Sequence, residues 1–262
     1  LTGTCRLTDW DDRHKQYSAE LTLTELEETC LKLVYFLEDH SFPSIIVPPV
    51  HTEASLFRPD GDTRGPLSLV HAAVEAGLGT MGLNGMLLTP QFGPRIILGA
   101  VLTAAELEAD PMMNRPLCLG EDCGRCLLAC PGDAVLHWGL DKERCAPYAS
   151  PYGFEYLMGH IERIIRTEDK EERIRLLKRS RESFMAWQSI LRGVGVYSGC
   201  TRCVDVCPVG EDYERHLKDA QEVIPETTQA KLLRLKEMQE AWEKGQPIEG
   251  LKRSRRWIGA GG

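Results

Sequence analysis

No run of apolar residues in this 262-residue chain approaches the ~18–20 that a membrane-spanning helix requires, so no span is expected. A positively charged leader followed by an apolar segment is also missing from the residues given. Secretion therefore has no support, and the cytoplasm is the expected location. Positive charge is not in excess either. The net charge is −8, which speaks against a general electrostatic surface for nucleic acid and makes nucleic acid an unexpected partner. The one locally basic stretch, LKRSRRW at 251–257, reads as a solvated terminus. What remains is ordinary for a globular protein: 42% hydrophobic and 27% charged residues, with length for one large domain or two modest ones and a real core. No internal repeat is present except one, and it is made of cysteines.

The ten cysteines are Cys5, Cys30, Cys118, Cys123, Cys126, Cys130, Cys145, Cys200, Cys203 and Cys207. Four fall in CLGEDCGRCLLACPGDAV (118–135), and a shorter echo, CTRCVDVCPVG, covers 200–210. Without a secretion signal, cysteines clustered at ligand spacing point to metal rather than disulfides. Thiolate sulfur is a soft ligand that matches iron and shares charge with bridging sulfides. The first motif runs Cys118-x4-Cys123-x2-Cys126-x3-Cys130-Pro131. It follows the bacterial two-cluster pattern C-x2-C-x2-C-x3-C-P with the first gap two residues longer. In that pattern three cysteines wrap one cubane, and the fourth turns away at the proline to the neighbouring cluster.

The echo, Cys200-x2-Cys203-x3-Cys207-Pro208, lacks a leading cysteine, since Tyr197 stands where it would fall. Two [4Fe–4S] clusters need about eight thiolates, and Cys145, between the motifs, is the natural eighth. The expected sets are Cys118, Cys123, Cys126 and Cys207 for one cluster, and Cys130, Cys145, Cys200 and Cys203 for the other. Structural zinc is the weaker alternative, because zinc sites rarely end twice in C-x2-C-x3-C-P. Cys5 is expected as a free or buried thiol, and Cys30 as a buried apolar residue.

Along the chain, 21–40 reads as an amphipathic helix with Leu26, Cys30, Leu33 and Leu37 on one face. Thr22 with Glu25, or Thr24 with Glu27, offers a capping box. A short β run follows at 44–50, then a polar loop at 58–66 and a helix at 67–79, whose His71 is expected to be packed or on the surface. Residues 86–90 and 94–103 read as two strands joined by a tight Gly/Pro turn. Region 116–150 is loop-rich. Helices are expected at 154–166, at 171–192 and at 228–244, the last with Leu232, Leu235 and Trp242 on its buried side. The fold class expected is α/β (α+β). The divisions are 1–110 as an α/β domain, 111–215 as a ferredoxin-like domain with a helical insertion at 152–195, and 216–262 as a helical tail.

The segment HAAVEAGLGTMGLNGMLLTPQFGPRIILGAVLT (71–103), followed by this cysteine array, resembles the corrinoid-dependent reductases, the epoxyqueuosine reductases and reductive dehalogenases. The resemblance covers roughly residues 44–210. It implies a nitroreductase-like corrinoid-binding domain carrying a ferredoxin-like two-[4Fe–4S] module, with cobalamin lying between the two and the nearer cluster feeding it electrons. Gly77, Gly79, Gly82 and Gly85, with Thr89 and Gly93 in the same segment, would cradle the macrocycle; glycines permit a close backbone approach to such a ligand. Asp62, in GDTRGP, lies near the acidic residue of a DTxP-like segment in the epoxyqueuosine reductases and is the implied proton donor. Tyr148 is a second candidate, although its place beside Cys145 suggests cluster packing.

The chemistry implied is reductive cleavage of a carbon–halogen or carbon–oxygen bond in a small substrate. Electrons would come from an external low-potential donor of ferredoxin or flavodoxin type, and a homodimer is compatible with the sequence. One departure stands out. The family places Lys or Arg after GLGxxG, where this chain has Leu83; a cation there would stabilise developing negative charge. Residues 211–262 are also shorter than the helical-repeat extension that helps the epoxyqueuosine reductases hold tRNA, and no twin-arginine export signal is seen. Two further readings stay open: an electron-transfer or corrinoid-handling protein without its own catalysis, and an iron–sulfur enzyme whose α/β domain binds flavin.

Overall fold

The helix expected at 21–40 begins earlier and runs as α1 (Asp12–Asp39). The computed structural model describes residues 12–49, 65–192, 199–211, 213, 227–250 and 255–259. Because α1 is already under way at residue 20, neither threonine caps it. Thr24 Oγ1 instead donates back to the Glu20 carbonyl at 3.0 Å, as a mid-helix threonine does. The covered stripe of α1 is Leu26, Cys30, Val34 and Leu37, and Leu33 is left exposed. The reason is the narrowness of what covers it, a two-stranded antiparallel sheet of β1 (Ser44–Val47) and β4 (Ala100–Thr103). Cys30 is half-buried rather than buried, against Gly99, where a Cβ would lie 2.8 Å from its sulfur.

Helix α2 (Leu69–Glu75) ends on Gly77 at φ +74°, with Leu78 N–H donating to Ala73 O and Gly77 N–H to Val74 O, the double closure of a Schellman motif. His71 packs edge-on against Trp257 at 4.3 Å between ring centroids. The strands expected at 86–90 and 94–103 do not pair with each other. Instead β3 (Leu87–Leu88) pairs with β2 (Thr80–Met81) across the turn at Gly82–Met86, and β4 pairs with β1. Thr89 and Gly93 exchange backbone hydrogen bonds at 3.0 and 2.9 Å, closing that loop on itself and sending the chain away from β3.

The cysteine region holds more regular structure than expected: α3 (Arg125–Leu128), the ribbon β5 (Val135–Leu136) and β6 (Gly139–Leu140), and α4 (Lys142–Ala149), capped by Asp141. Helix α5 (Phe154–Arg166) has the span read from sequence. The single helix expected over 171–192 is two, α6 (Lys170–Arg179) and α7 (Arg181–Arg192). The break lies at Ser180, whose Oγ accepts from Ser183 N–H at 3.1 Å as an N-cap while donating to Leu176 O at 2.6 Å. Helix α8 (Arg202–Asp205) carries the second motif, and α9 (Gln229–Glu243) lies against the first. The side of α9 turned inward is Lys231, Leu235, Met238 and Trp242, while Leu232 is exposed.

The main core joins Met81, Leu83, Leu127, Val135, Trp138, Met238 and Ile258, so β2, the cysteine region and α9 share one apolar centre. Among the described residues no helix is long and apolar enough to cross a membrane. The architecture is mixed α and β and rich in helix.

Gly159 sits inside α5, and a Cβ added there would meet no atom within 4 Å. Gly159→Ala is therefore expected to stabilise the chain by about 0.5–1 kcal/mol, the helical penalty of glycine relative to alanine. A thermal melt checks this, and an unchanged or lower midpoint would contradict it.

Candidate metal centre

The lengthened first gap of the motif, between Cys118 and Cys123, holds a single 3₁₀ turn, Gly120–Asp122. Gly120 has φ +60°, and its carbonyl accepts from both Cys123 and Gly124 N–H, at 3.2 and 3.1 Å. The turn is anchored from below: the Glu121 carboxylate pairs with Nδ1 of His137, both buried, and Gln239 donates to the Glu121 carbonyl at 2.9 Å. Gly124 at φ +56° opens α3, which carries Cys126, and the chain leaves that helix at Cys130 and Pro131. The second motif repeats this on α8, with Cys203 in the helix and Cys207 and Pro208 just beyond it.

Eight of the thiols come together in one region. Cys118, Cys123, Cys126 and Cys207 all line one cavity of about 300 Å³, together with Gly82, Leu83, Asn84 and Leu88. Each member is felt electrostatically by others of that group: Cys123 acts on Cys118, Cys126 and Cys207, and Cys118 acts on Cys126 and Cys207. Cys130 acts on Cys145, Cys200 and Cys203, and Cys200 acts on Cys145 and Cys203. The two sets adjoin closely, since Cys126 feels Cys203 more strongly than it feels Cys207 or Cys123.

Burial pushes six of these thiols upward. Cys203 reaches about 12 and Cys207 about 11, and Cys126 stands well above an ordinary thiol. Burial also raises Cys118, Cys145 and Cys200. Metal binding requires thiolates, so loading either group releases protons. Some backbone amides already point at sulfur. Cys118 Sγ accepts from Leu83 N–H at 3.4 Å and Gly120 N–H at 3.3 Å, and Cys130 Sγ accepts from Ala134 N–H at 3.2 Å. Such bonds to sulfur tune iron–sulfur potentials.

Among the described residues, no three of His, Cys, Asp or Glu gather closely enough to hold a single metal ion. A tetrahedral ion with metal–sulfur bonds of about 2.3 Å would draw its sulfurs to within about 3.8 Å of one another. A cubane spreads its four thiolates wider, because each binds a different iron. Four thiols around one cavity, with amides aimed at the Cys118 sulfur, are a donor set of the kind that holds an iron–sulfur cluster.

Three residues outside the motifs support this region. Asn84, 2% exposed, donates from Nδ2 to the Cys203 carbonyl at 3.2 Å and accepts from Met86 N–H at 3.2 Å, tying the β2–β3 turn to the second group. Arg95 donates to the carbonyls of Val204, Cys207 and Val209 at 3.3, 2.9 and 2.6 Å. Lys231 donates from Nζ to the Cys130 carbonyl at 2.7 Å. Sequence reasoning missed all three. Asn84 and Arg95 carried a signal, since both lie in the segment that bears the family resemblance.

The glycine segment is used by the protein itself. A Cβ on Gly77 would lie 2.4 Å from Pro111 O, on Gly79 1.9 Å from Leu88 O, and on Gly93 1.9 Å from Val209 O. Gly82 lines the cysteine cavity under Asn84 and Leu88, Gly85 turns β2 into β3 at φ +75°, and Thr89 closes the loop to Gly93. Leu83, 1% exposed, buries its side chain in the core while its N–H serves Cys118. A lysine there would have to bury its charge, which explains why an apolar residue suits this position. Tyr148 lays its ring against Gly132, and its carbonyl accepts from Cys200 N–H at 2.9 Å. Asp62 and Cys5 lie outside the described residues.

No protein-family model matches the chain. It is similar to the epoxyqueuosine reductase of Synechococcus sp. (strain RCC307), 30% identical over 148 residues, covering 56% of this chain and 36% of that protein. It is also similar to a tetrachloroethene reductive dehalogenase of Desulfitobacterium hafniense, 39% identical over 90 residues, covering 32% of this chain and 16% of the other. Among solved structures, the epoxyqueuosine reductase from Streptococcus thermophilus aligns at a TM-score of 0.43 and 21% identity, covering 71% of this chain and 39% of that one. The chain thus spans little more than a third of the first of these relatives. By name these relatives are reductases, and the similarity to epoxyqueuosine reductases lends no support to setting nucleic acid aside as a partner.

Proposed function

We propose that this chain is an iron–sulfur oxidoreductase with two [4Fe–4S] clusters. They would relay electrons toward cobalamin-dependent reductive cleavage of a carbon–halogen or carbon–oxygen bond in a small substrate. The observation that carries the proposal is the gathering of eight thiols, four of them around one cavity of about 300 Å³ and the others next to it. Cys118, Cys123, Cys126 and Cys207 would hold one cluster, and Cys130, Cys145, Cys200 and Cys203 the other. Each cluster, when bound, takes up and releases one electron at a time.

The chain's own residues do the rest. The amides of Leu83 and Gly120 stabilise negative charge on Cys118, and that of Ala134 does so on Cys130. Leu83, Leu88 and Leu117 give the first cavity apolar walls, which limits water at the sulfurs. Since Gly82 and Leu83 belong to the β2–β3 segment, the first cluster would be the one facing the α/β domain and the second the point of entry from an external low-potential donor of ferredoxin or flavodoxin type. The division into an α/β part to about residue 110, a ferredoxin-like part to 215 and a helical tail belongs to the same proposal.

Cobalamin is proposed on similarity alone. The Cβ spaces of Gly77, Gly79 and Gly93 are filled by the protein's own carbonyl oxygens, which accounts for glycine at these positions without a macrocycle. That packing, with the buried aliphatic Leu83, favours a second reading in which the chain only relays electrons and the bond cleavage happens on a partner. Anaerobic purification with iron, sulfide and cobalamin analysis tests both. The expected result is about eight irons per chain; bound cobalamin supports the first reading and its absence the second. Four or fewer irons, or stoichiometric zinc, would overturn the relay itself.

A further inference from the structure

Two cations reach equivalent cysteines from unrelated parts of the chain. Cys130 and Cys207 are the last cysteines of their motifs, each followed by proline, and in the proposed arrangement each crosses to the other motif's cluster. The Cys130 carbonyl accepts from Lys231 Nζ at 2.7 Å, and the Cys207 carbonyl accepts from Arg95 Nη1 at 2.9 Å. Lys231 comes from α9, far downstream, and Arg95 from the segment between β3 and β4. The motifs themselves supply neither cation.

Lys231 is 8% exposed, and its hydrogen bond is to a neutral carbonyl. Among the described residues no carboxylate pairs with Lys231, and withdrawing an ammonium from water is costly. Four thiolates around a cubane leave that centre with net negative charge, which grows by one when it is reduced. A fixed cation beside it therefore favours the reduced state.

We propose that Lys231 and Arg95 are paired positioning residues: each holds the crossing cysteine by its carbonyl and raises the reduction potential of the cluster that cysteine joins. Lys231 serves the cluster of Cys130, Cys145, Cys200 and Cys203, and Arg95 serves that of Cys118, Cys123, Cys126 and Cys207. The step affected is uptake of one electron from a low-potential one-electron donor, with no bond made or broken. This rests on the two-cluster reading.

The test is a potentiometric titration with dithionite, followed by electron paramagnetic resonance, on the anaerobically purified full chain and its variants, with iron counted on each. In Lys231→Gln, which keeps a donor but loses the charge, one cluster is expected to become harder to reduce by about tenfold, or about 59 mV for one electron. Lys231→Arg restores it, and Arg95→Gln shifts the other cluster. Full iron with both potentials unchanged in Lys231→Gln or in Arg95→Gln overturns the proposal, as does an equal shift in Lys231→Gln and Lys231→Arg. Loss of one cluster in Lys231→Gln but not in Lys231→Arg supports the holding role, and loss in both overturns it. Failure of the two-cluster reading is separate, because it appears as a low iron count in the unaltered chain.

Discussion

Replacing Cys145 with alanine is expected to halve the iron carried by the chain, from about eight atoms to about four. Cys145 sits on α4, outside both motifs, and its thiol is pushed up by burial and then by Cys130 and Cys200. In the proposed assignment it is the fourth ligand of the second group. A cubane left with three thiolates exposes one iron to water and exchange, so the cluster is lost or becomes labile. The first group, whose own cysteines line a separate cavity, should keep its iron. Iron and sulfide counts with the reduced-state spectrum check this, and Cys30→Ala, on α1 against Gly99, serves as the control that retains everything. An unchanged iron count and spectrum in Cys145→Ala would remove Cys145 from the ligand set.

Gly93→Ala is the second large effect. The added Cβ would lie 1.9 Å from Val209 O and 2.8 Å from its carbonyl carbon, at a φ of +54°. Left-handed backbone costs a non-glycine residue about 1–2 kcal/mol, and the overlap with rigid backbone adds roughly 1–3 kcal/mol. For a chain of this size, a loss of about 3 kcal/mol lowers the melting midpoint by roughly 6–12 °C. The displaced stretch of chain is the one that follows Cys207, and Arg95 grips it at Cys207 and Val209. The first cluster should therefore loosen together with the fold. Gly85→Ala separates the two causes, because Gly85 has φ +75° but no atom nearer than 3.9 Å to a Cβ. It should show the backbone penalty alone. Equal melting losses in the two variants would refute the contact at Val209.

Local chemistry specifies some elements of this fold and leaves others open. Helix α5 keeps its sequence-read span because its apolar period and its glycine and threonine borders are local properties. The break between α6 and α7 was hidden, since Ser180 reads as a tolerable helix residue until its hydroxyl is seen bonding Leu176 and Ser183. The partners of the strands were hidden for a different reason. β1 meets β4 across more than fifty residues and β3 turns back to β2, and neither pairing leaves a mark in either strand's own composition.

The sequence by itself determined that this chain is an acidic, globular protein with a cysteine array at ligand spacing and a glycine segment like that of corrinoid-dependent reductases. Ligand spacing is short-range, and so it can be read residue by residue. Only the tertiary structure decided what surrounds the array. It brought Asn84, Arg95 and Lys231 onto the carbonyls of Cys203, Cys207 and Cys130, and it set backbone carbonyls against Gly77, Gly79 and Gly93. Those outcomes depend on which distant segments share a core. A contact between residues a hundred positions apart is settled by packing, which no local pattern encodes.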